Sequence, residues 1–188
     1  MEKDTSLALV PKKKTLSYIQ TLLLFFFLYA FIGWLLETAY AFYVYGHFVK
    51  RGFLLGPICP IYGCGAVIII AFLSNYKGHS VKLFFTAAIV FSLFEYIAGF
   101  ALDALFSARW WDYTSEFMNL NGRISIFFSF VWGIIAILFI NHLQPFMNRI
   151  LEKISNKIPY WIQTTFLQIF TLVLFLDIVC SGIIHLST

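Results

Sequence analysis

The feature that most constrains this chain is a series of five long apolar segments, which fill most of its length. Each segment is close to or above the roughly 20 residues that a helix needs to cross about 30 Å of hydrocarbon. Because lipid offers backbone N–H and C=O groups no partners, each segment is expected to be helical. The pattern predicts an all-α, polytopic membrane helix bundle. Its predicted transmembrane helices cover residues 18–44, 53–73, 82–106, 123–141 and 161–186.

The composition excludes a soluble protein. Of the 188 residues, 61% are hydrophobic and 12% are charged, whereas about a quarter of the residues in a soluble domain are charged. No polar stretch between the apolar segments is long enough for a soluble catalytic domain, and no internal repeat or linker divides the chain. We therefore expect a single integral membrane domain over residues 1–188.

Metal, cofactor and nucleic acid are not expected ligands of this chain. Cys59, Cys64 and Cys180 form no CxxC or Cys/His spacing, so they are interpreted as small apolar residues at helix contacts. The net charge is +4, but the basic residues lie in short connections beside the apolar segments rather than along one stripe. Anionic lipid headgroups are therefore the expected partners of these basic residues.

The basic residues also predict the orientation of the chain in the membrane. With a cytoplasmic amino terminus and five crossings, nine of the 13 Lys and Arg residues lie inside, as the positive-inside rule favours. A re-entrant second segment would leave six inside and seven outside. The preferred topology places the basic tail, residues 1–17, in the cytoplasm and the carboxyl terminus outside. The outside basic residues are then Lys50, Arg51, Arg109 and Arg123.

The connection after the fourth segment is typical of an amphipathic helix over residues 143–158. Apolar residues recur there at helical spacing, and polar and basic residues fill the other face. Pro145 suits the first turn of this helix, and Pro159 ends it. One interpretation is a helix in the cytoplasmic membrane interface with its basic face toward anionic lipid. The other is a docking helix for a cytoplasmic partner such as a motor subunit.

Four acidic residues lie inside predicted spans, where a charge facing lipid is costly, so they are expected to face the bundle interior. The preferred topology places none of them clearly in the cytoplasmic half. They suggest a polar chamber toward the outer side, which would bind a polar or anionic ligand or relay protons. The structural alternative is a set of interhelical ion pairs with the outside basic residues. The four acids are Glu37, Glu95, Asp103 and Asp177.

Two connections on the outer side carry further chamber candidates. Gly56, Pro57 and Pro60 are expected to delay the start of the second helix to one of the two prolines, so that residues 52–56 enter the membrane unwound. Such a backbone needs a polar cavity or protein partners, although a simple proline kink is the alternative. The aromatic loop over residues 107–122 resembles an ordered lid, although its tryptophans also suit an interfacial belt. Further candidate residues are Tyr62, Arg109, Trp111, Asp112, Asn119 and Arg123.

Five stretches carry a family resemblance: FIGWLLE (31–37), RGFLLGPICPIYGCG (51–65), FEYIAGFALD (94–103), RWWDY (109–113) and NLNGR (119–123). In this order they resemble the putative ABC-transporter type IV, or CmpB-like, membrane proteins of bacteria. The resemblance covers about residues 31–133. It implies a multi-pass protein of the bacterial plasma (inner) membrane with a permease role. It assigns no chemistry to the motif positions Glu37, Arg51, Gly56, Pro57, Pro60, Tyr62, Gly63, Glu95, Asp103, Trp111, Asp112, Asn119 and Arg123.

The leading hypothesis is a permease-like component with an outward-facing polar chamber. Because the chain has no GxxxxGK[ST] phosphate-binding loop, an ABC permease would need a separate cytoplasmic ATPase subunit. A second hypothesis is a membrane-embedded enzyme that acts on an outer-leaflet lipid or cell-wall intermediate, with a carboxylate as general base. A third is a structural or assembly subunit without a ligand. A homo-oligomer stays open in all three.

Overall fold

The structure is a computed structural model that describes residues 15–107 and 109–187. It confirms the all-α class and the apolar helix bundle. Two short strands, β1 and β2, form an antiparallel hairpin before the fourth long helix. The helices are α1 (Tyr18–Tyr45), α2 (Pro60–Ile68), α3 (Ser80–Phe106), α4 (Ile126–Leu138), α5 (Gln144–Ser155) and α6 (Tyr160–Ser187), and the strands are β1 (Asn119–Leu120) and β2 (Ile124–Ser125).

Within the described residues, four helical stretches are long and apolar enough to cross a membrane. They are α1, α3, α6 and the continuous stretch Ile126–Ser155. The second predicted span is represented by a shorter apolar helical stretch, Pro60–Tyr76. Its first part, α2, continues through a widened turn over Ile69–Leu73 and a tight turn over Ser74–Tyr76.

The second helix begins at Pro60, the later of the two predicted positions. Proline is suited to the first turn because its missing N–H would have no helical partner there. Ahead of it, residues 51–59 form no helix or strand. Ile58 N–H donates to Gly56 C=O across Pro57, and Cys59 N–H donates to Ala30 C=O of α1. This unwound stretch, named here the entry segment (residues 51–59), confirms the predicted late start.

Two helix pairs, α1 with α2 and α3 with α4, supply most of the packing. Glycines permit the close approach, since a Cβ at Gly33 would meet the Tyr62 ring and one at Gly133 would meet the Phe84 ring. The shared core joins these pairs through buried aromatic and aliphatic residues, among them Phe25, Tyr29 and Phe91. Many other large apolar side chains stay exposed, which suits contact with lipid rather than water.

The fourth span and the amphipathic helix are joined rather than separate. The sequence places the end of the span at residue 141, but helix continues from α4 through a widened turn, Phe139–Leu143, into α5. The span also begins later than residue 123, because Ser125 caps α4 by accepting a hydrogen bond from Phe128 N–H. The predicted helix over residues 143–158 is observed as α5, whose last helical residue is Ser155.

Helix α6 is the least buried of the long helices. Its middle touches α1 through an edge-to-face contact of Phe170 with Phe27. Near its amino end, Gln163 donates to Ser155 C=O and Ile158 C=O, and the polar contacts described below lie near its carboxyl end. The predicted basic tail over residues 1–17 lies outside the described residues except for its last three.

Candidate functional site

One end of the bundle gathers nearly all the buried charge, and we call it the polar end. It comprises the carboxyl ends of α1, α3 and α6, the amino ends of α2 and α4, the entry segment, and the connection over residues 107–125. All four intramembrane acids predicted from the sequence make their polar contacts there. The paragraphs below take these acids in turn.

Glu37 of α1 is held by two other elements. Arg51 of the entry segment donates to Glu37 Oε2 from Nε at 3.1 Å and from Nη2 at 2.9 Å. Tyr62 of α2 donates its phenol proton to Glu37 Oε1 at 2.6 Å. The Tyr62 ring lies where Gly33 leaves space. Glu37 therefore fixes α1, the entry segment and α2 to one another.

Asp177 of α6 binds the unwound backbone of the entry segment. Leu55 N–H donates to Oδ1 and Gly56 N–H donates to Oδ2, both at 2.9 Å. Ser181, one turn later, donates its hydroxyl to Oδ1 at 3.0 Å. A Cβ at Gly56 would stand 2.8 Å from Asp177 Oδ2, so glycine is needed for this approach. The carboxylate thus supplies the partners that an unwound backbone needs at this depth.

His185, near the end of α6, extends the same attachment. Its ring stacks on Phe53 with the centroids 4.9 Å apart, and Nε2 lies 3.3 Å from Phe53 C=O. Phe106 at the end of α3 and Trp110 pack edge-on against the His185 ring. The aromatic group closes the polar end between α3 and α6.

Asp103 of α3 forms a second charged group with two arginines. Arg123 Nη2 donates to Asp103 Oδ2 at 2.7 Å, and Arg109 Nε lies 3.8 Å from the same oxygen. The Arg123 guanidinium also lies over the rings of Tyr96 and Phe100, 5.6 and 5.5 Å from their centroids. The Arg123 side chain also packs over Gly99, where an added Cβ would lie 3.4 Å from Arg123 Cγ.

Within the connection over residues 107–125, residues 109–125 form an ordered hairpin above α3 and α4. Trp111 Nε1 donates to Arg123 C=O at 3.0 Å, and Tyr113 N–H donates to Gly122 C=O at 2.8 Å. Asn119 closes the turn by accepting from Gly122 N–H. These bonds tie the two sides of the loop together and place Arg123 over Asp103.

Asp112 stabilises the first turn of this loop. Its Oδ1 accepts from Thr114 N–H at 3.0 Å. This hydrogen bond, with a smaller contribution from the Arg109 charge, lowers the pKa of Asp112. A Cβ at Gly122, where φ is +67°, would stand 2.6 Å from the same oxygen. The conformation and the space together call for glycine here.

Glu95 of α3 is the most buried acid, with 5% of its surface exposed. Its Oε1 accepts from the Tyr113 phenol at 3.3 Å. Its Oε2 and the Trp132 indole N–H of α4, which lies close enough to act on this carboxylate, are buried and form no hydrogen bond of normal geometry. No Arg or Lys ion pair reaches Glu95 among the described residues. Glu95 thus differs from Glu37 and Asp103, which each pair with arginine.

Tyr113 links the surroundings of two acids. Burial raises the pKa of the Tyr113 phenol, and the negative charges of Glu95 and Glu37 raise it further. The phenol therefore stays a hydrogen-bond donor over the physiological pH range. Its ring is fixed by stacking on Phe128, with the centroids 4.2 Å apart. Glu95 thus contacts this loop residue, the Glu37 charge acts on it from a greater distance, and Asp103 lies with Arg123.

Open space at the polar end is small. A cavity of about 10 Å³ lies among Gly99, Leu102, Arg109, Trp110, Trp111 and Arg123. That volume is about what one water molecule requires. Arg123 Nε is a buried donor without a hydrogen-bond partner. Neither this cavity nor the ion pairs show whether the polar end binds a ligand. The predicted chamber therefore stays a prediction.

Sequence reasoning identified the four acids but missed several of their partners. Tyr113, Trp132 and Ser181 were not among the predicted site residues. Tyr113 could have been included, because it ends the same RWWDY stretch that supplied Arg109, Trp111 and Asp112. The backbone donors of Leu55 and Gly56 leave no side-chain signal, so nothing in the sequence could name them as partners of Asp177.

Comparison with known protein families gives a match over residues 24–182 to the family described as "Putative ABC-transporter type IV". The matched region begins within α1 and ends within α6, so it takes in the polar end except for the last turn of α6, which carries His185. No curated protein and no solved structure matches the chain.

Proposed function

Since the chain belongs to the putative ABC-transporter type IV family and is a membrane protein of that transporter type, we propose that it serves as a permease-like component that binds a polar or anionic ligand at its polar end. The ABC mechanism draws on ATP hydrolysis. The chain contains no phosphate-binding loop of the GxxxxGK[ST] form, so a separate ATPase subunit supplies that step.

One observation carries the ligand-binding part of the proposal. Arg123 Nε, beside the small cavity, is buried without a hydrogen-bond partner, and Glu95 Oε2 and the neighbouring Trp132 Nε1 are buried without a hydrogen bond of normal geometry. Leaving a buried polar atom unpaired costs about 1–3 kcal/mol, and more for charged groups. Such atoms in a native protein call for a specific explanation. A polar ligand that reached the polar end would supply an acceptor to Arg123 Nε or a donor to Glu95 Oε2.

The geometry corresponds to a closed form of such a site. Asp103 is covered by Arg123, and Glu95 is covered by Tyr113. Both covering residues belong to the connection over residues 107–125. A ligand larger than water therefore enters only when this hairpin moves away from α3. Arg109, which lies 3.8 Å from Asp103 and is nearly half exposed, is the charged group available to meet an arriving anion.

The proposal is tested first by its partner. Full-length tagged protein is purified from its native membrane, and co-purifying ATPases are identified by mass spectrometry. Ile150→Glu with Ile154→Glu places charge on the apolar side of α5 and is expected to abolish ATPase recovery. Asn148→Glu, on an exposed polar position of the same helix, is the matched control and retains it. Absence of any ATPase from the wild-type preparation would refute the ABC role.

A second experiment separates transport from the enzyme hypothesis. Cells lacking the protein are complemented with wild type, Glu95→Gln or the exposed control Glu152→Gln. Intracellular solutes and membrane lipids are then profiled. Transport predicts that a polar solute changes in abundance with Glu95→Gln as in the deletion strain, while the lipids do not. Accumulation of a lipid or cell-wall precursor would instead support an enzyme, and no change in either profile would support a structural subunit.

A further inference from the structure

A second cavity in the described part of the chain lies at the end opposite the polar end. It is a groove of about 480 Å³ on the surface where α4 passes into α5. This size is within the range of roughly 300–1,000 Å³ that is usual for small-molecule sites. The groove exists because the widened turn over Phe139–Leu143 separates the two helices' side-chain rows. Its lining is Ile135, Leu138, Phe139, His142, Leu143 and Phe146.

The floor of the groove is buried and its walls are exposed. Phe139 is 7% exposed and belongs to the shared core, where it packs against Tyr29. Leu138 and Phe146 are each 54% exposed. Gln144, in the first turn of α5, accepts the Tyr29 phenol proton at 2.8 Å. The bend that forms the groove is therefore anchored to α1.

Along α5, the side chains next to the groove change from apolar to positively charged. Phe146, Arg149 and Lys153 are spaced i, i+3 and i+7, which places them on one side of α5. Both cations are exposed, and neither has an ion pair with a described residue. The apolar groove thus opens directly onto a pair of unneutralised positive charges.

From this juxtaposition we propose that the groove and the adjoining Arg149 and Lys153 form a binding site for one anionic phospholipid. An acyl chain fills the groove, and the headgroup phosphate lies against the two cations. Arginine suits this contact because its fork of donors matches phosphate oxygens. The site is independent of the ligand proposed for the polar end.

Charge complementarity favours this occupant over a second copy of the chain. Glu152 is the one acid among the described residues at this end of the bundle, where Lys77, Lys82 and Lys157 add further positive charge. A second copy of the chain would bring a like-charged surface against Arg149 and Lys153. Basic pockets beside membrane helices are a known mode of anionic lipid recognition. The face that carries Met147 and Leu151 is already packed on the core.

Native mass spectrometry of the purified full chain tests the headgroup. The protein is mixed with equal amounts of phosphatidylglycerol and phosphatidylcholine that carry identical acyl chains. Wild type is expected to retain phosphatidylglycerol in preference by about tenfold or more, and Arg149→Gln with Lys153→Gln is expected to bring the two lipids close to parity. Lys77→Gln with Lys157→Gln makes the same charge change nearby and should retain the preference. Equal loss in both double variants would overturn the proposal.

The groove is tested separately by filling it. Leu138→Trp occupies the space for the acyl chain and is expected to reduce retention of both lipids severalfold. Phe130→Trp, at a similarly exposed position of α4 outside the groove, is the control and leaves retention unchanged. Thermal unfolding of each variant shows whether the fold is kept. Unaltered lipid binding in a folded Leu138→Trp protein, or a wild-type dimer that Leu138→Trp dissociates, would overturn the assignment.

Discussion

At the scale of single residues, Asp177 shows how one carboxylate can replace a missing stretch of helix. It accepts from two successive backbone N–H groups, those of Leu55 and Gly56. Hydrogen bonds from an amide to a charged acceptor contribute about 1.5–3 kcal/mol. Because Ser181 donates to the same carboxylate, its orientation is fixed from α6 itself.

Gly56→Ala is expected to break this contact, because the new Cβ would stand 2.8 Å from Asp177 Oδ2. We expect a loss of about 1.5–3 kcal/mol in the free energy of unfolding, measured by thermal or denaturant unfolding in detergent. Gly182→Ala is the control, since nothing lies within 4 Å of its Cβ position. Equal stability of the two variants would contradict the role given to Asp177.

The Asp103–Arg123 pair is also expected to stabilise the fold measurably. Its 2.7 Å hydrogen bond joins side chains that are 29% and 15% exposed, so solvent screens it only in part. Asp103→Asn and Arg123→Gln are each expected to destabilise the protein, and a double-mutant cycle should give a coupling energy of about 1 kcal/mol or more. Additive single effects would show that the two side chains do not interact in solution.

At the scale of elements, the long helices were predictable and the connections were only partly so. The observed bounds of α1, α3 and α6 lie within two residues of the predicted ones, because apolar length alone decides where a span can lie. The start of α2 followed from Pro60. The continuous helix from α4 to α5 could not be predicted in this way. Its residues 139–143 include polar residues typical of the end of a span, but a widened turn lets the helix continue through them.

The hairpin over residues 109–125 is expected to loosen at acid pH. The bond from Thr114 N–H lowers the pKa of Asp112 below its ordinary value of 3.8. A lowered folded-state pKa stabilises the turn above the unfolded-state value, and this contribution is lost as the pH falls through the lowered value. Tryptophan fluorescence followed from pH 7 downward should therefore change in wild type below about pH 4.

Asp112→Asn should lack that part of the acid transition, while Glu116→Gln, in the same hairpin, should keep it. The fluorescence signal arises in part from Trp110 and Trp111, which lie beside Asp112 in the chain. Superimposable curves for wild type and Asp112→Asn would show that Asp112 does not govern the turn.

At the scale of the whole molecule, the predicted orientation distinguishes the two ends of the bundle. Five crossings place Lys50 outside and Lys77 and Lys157 in the cytoplasm. The stretch Pro60–Tyr76 is short for a span, yet the entry segment extends it toward the polar end. The side reached by residue 77 therefore decides whether this segment crosses or returns.

Single cysteines at positions 50, 77 and 157, in a chain lacking Cys59, Cys64 and Cys180, test this orientation. A membrane-impermeant maleimide applied to intact cells is expected to label Lys50→Cys at once, and Lys77→Cys and Lys157→Cys only after permeabilisation. Labelling of both Lys50→Cys and Lys77→Cys from outside would show a re-entrant second segment. Labelling of Lys77→Cys and Lys157→Cys from outside, with Lys50→Cys protected, would show the inverted topology.

The polar end shows why a site is harder to derive than a bundle. The free-energy cost of a charge in lipid predicts that Glu95 faces the bundle interior. It does not predict the contacts of Glu95 with Tyr113 and Trp132. Those contacts depend on how far the hairpin folds back over α3, which is set by Gly122 and by the Asp112 turn. The chemistry of the acids was therefore visible in the sequence, while their partners emerged only from the three-dimensional arrangement.

The attachment of Asp177 also has a consequence for biosynthesis. The entry segment is synthesised long before residue 177. The backbone N–H groups of Leu55 and Gly56 therefore lack their Asp177 acceptor until α6 is inserted. We therefore expect the docking of α6 to follow the insertion of the entry segment. A nascent chain that stops short of this helix would expose an unsatisfied backbone at the polar end, which makes it a recognisable target for membrane proteases.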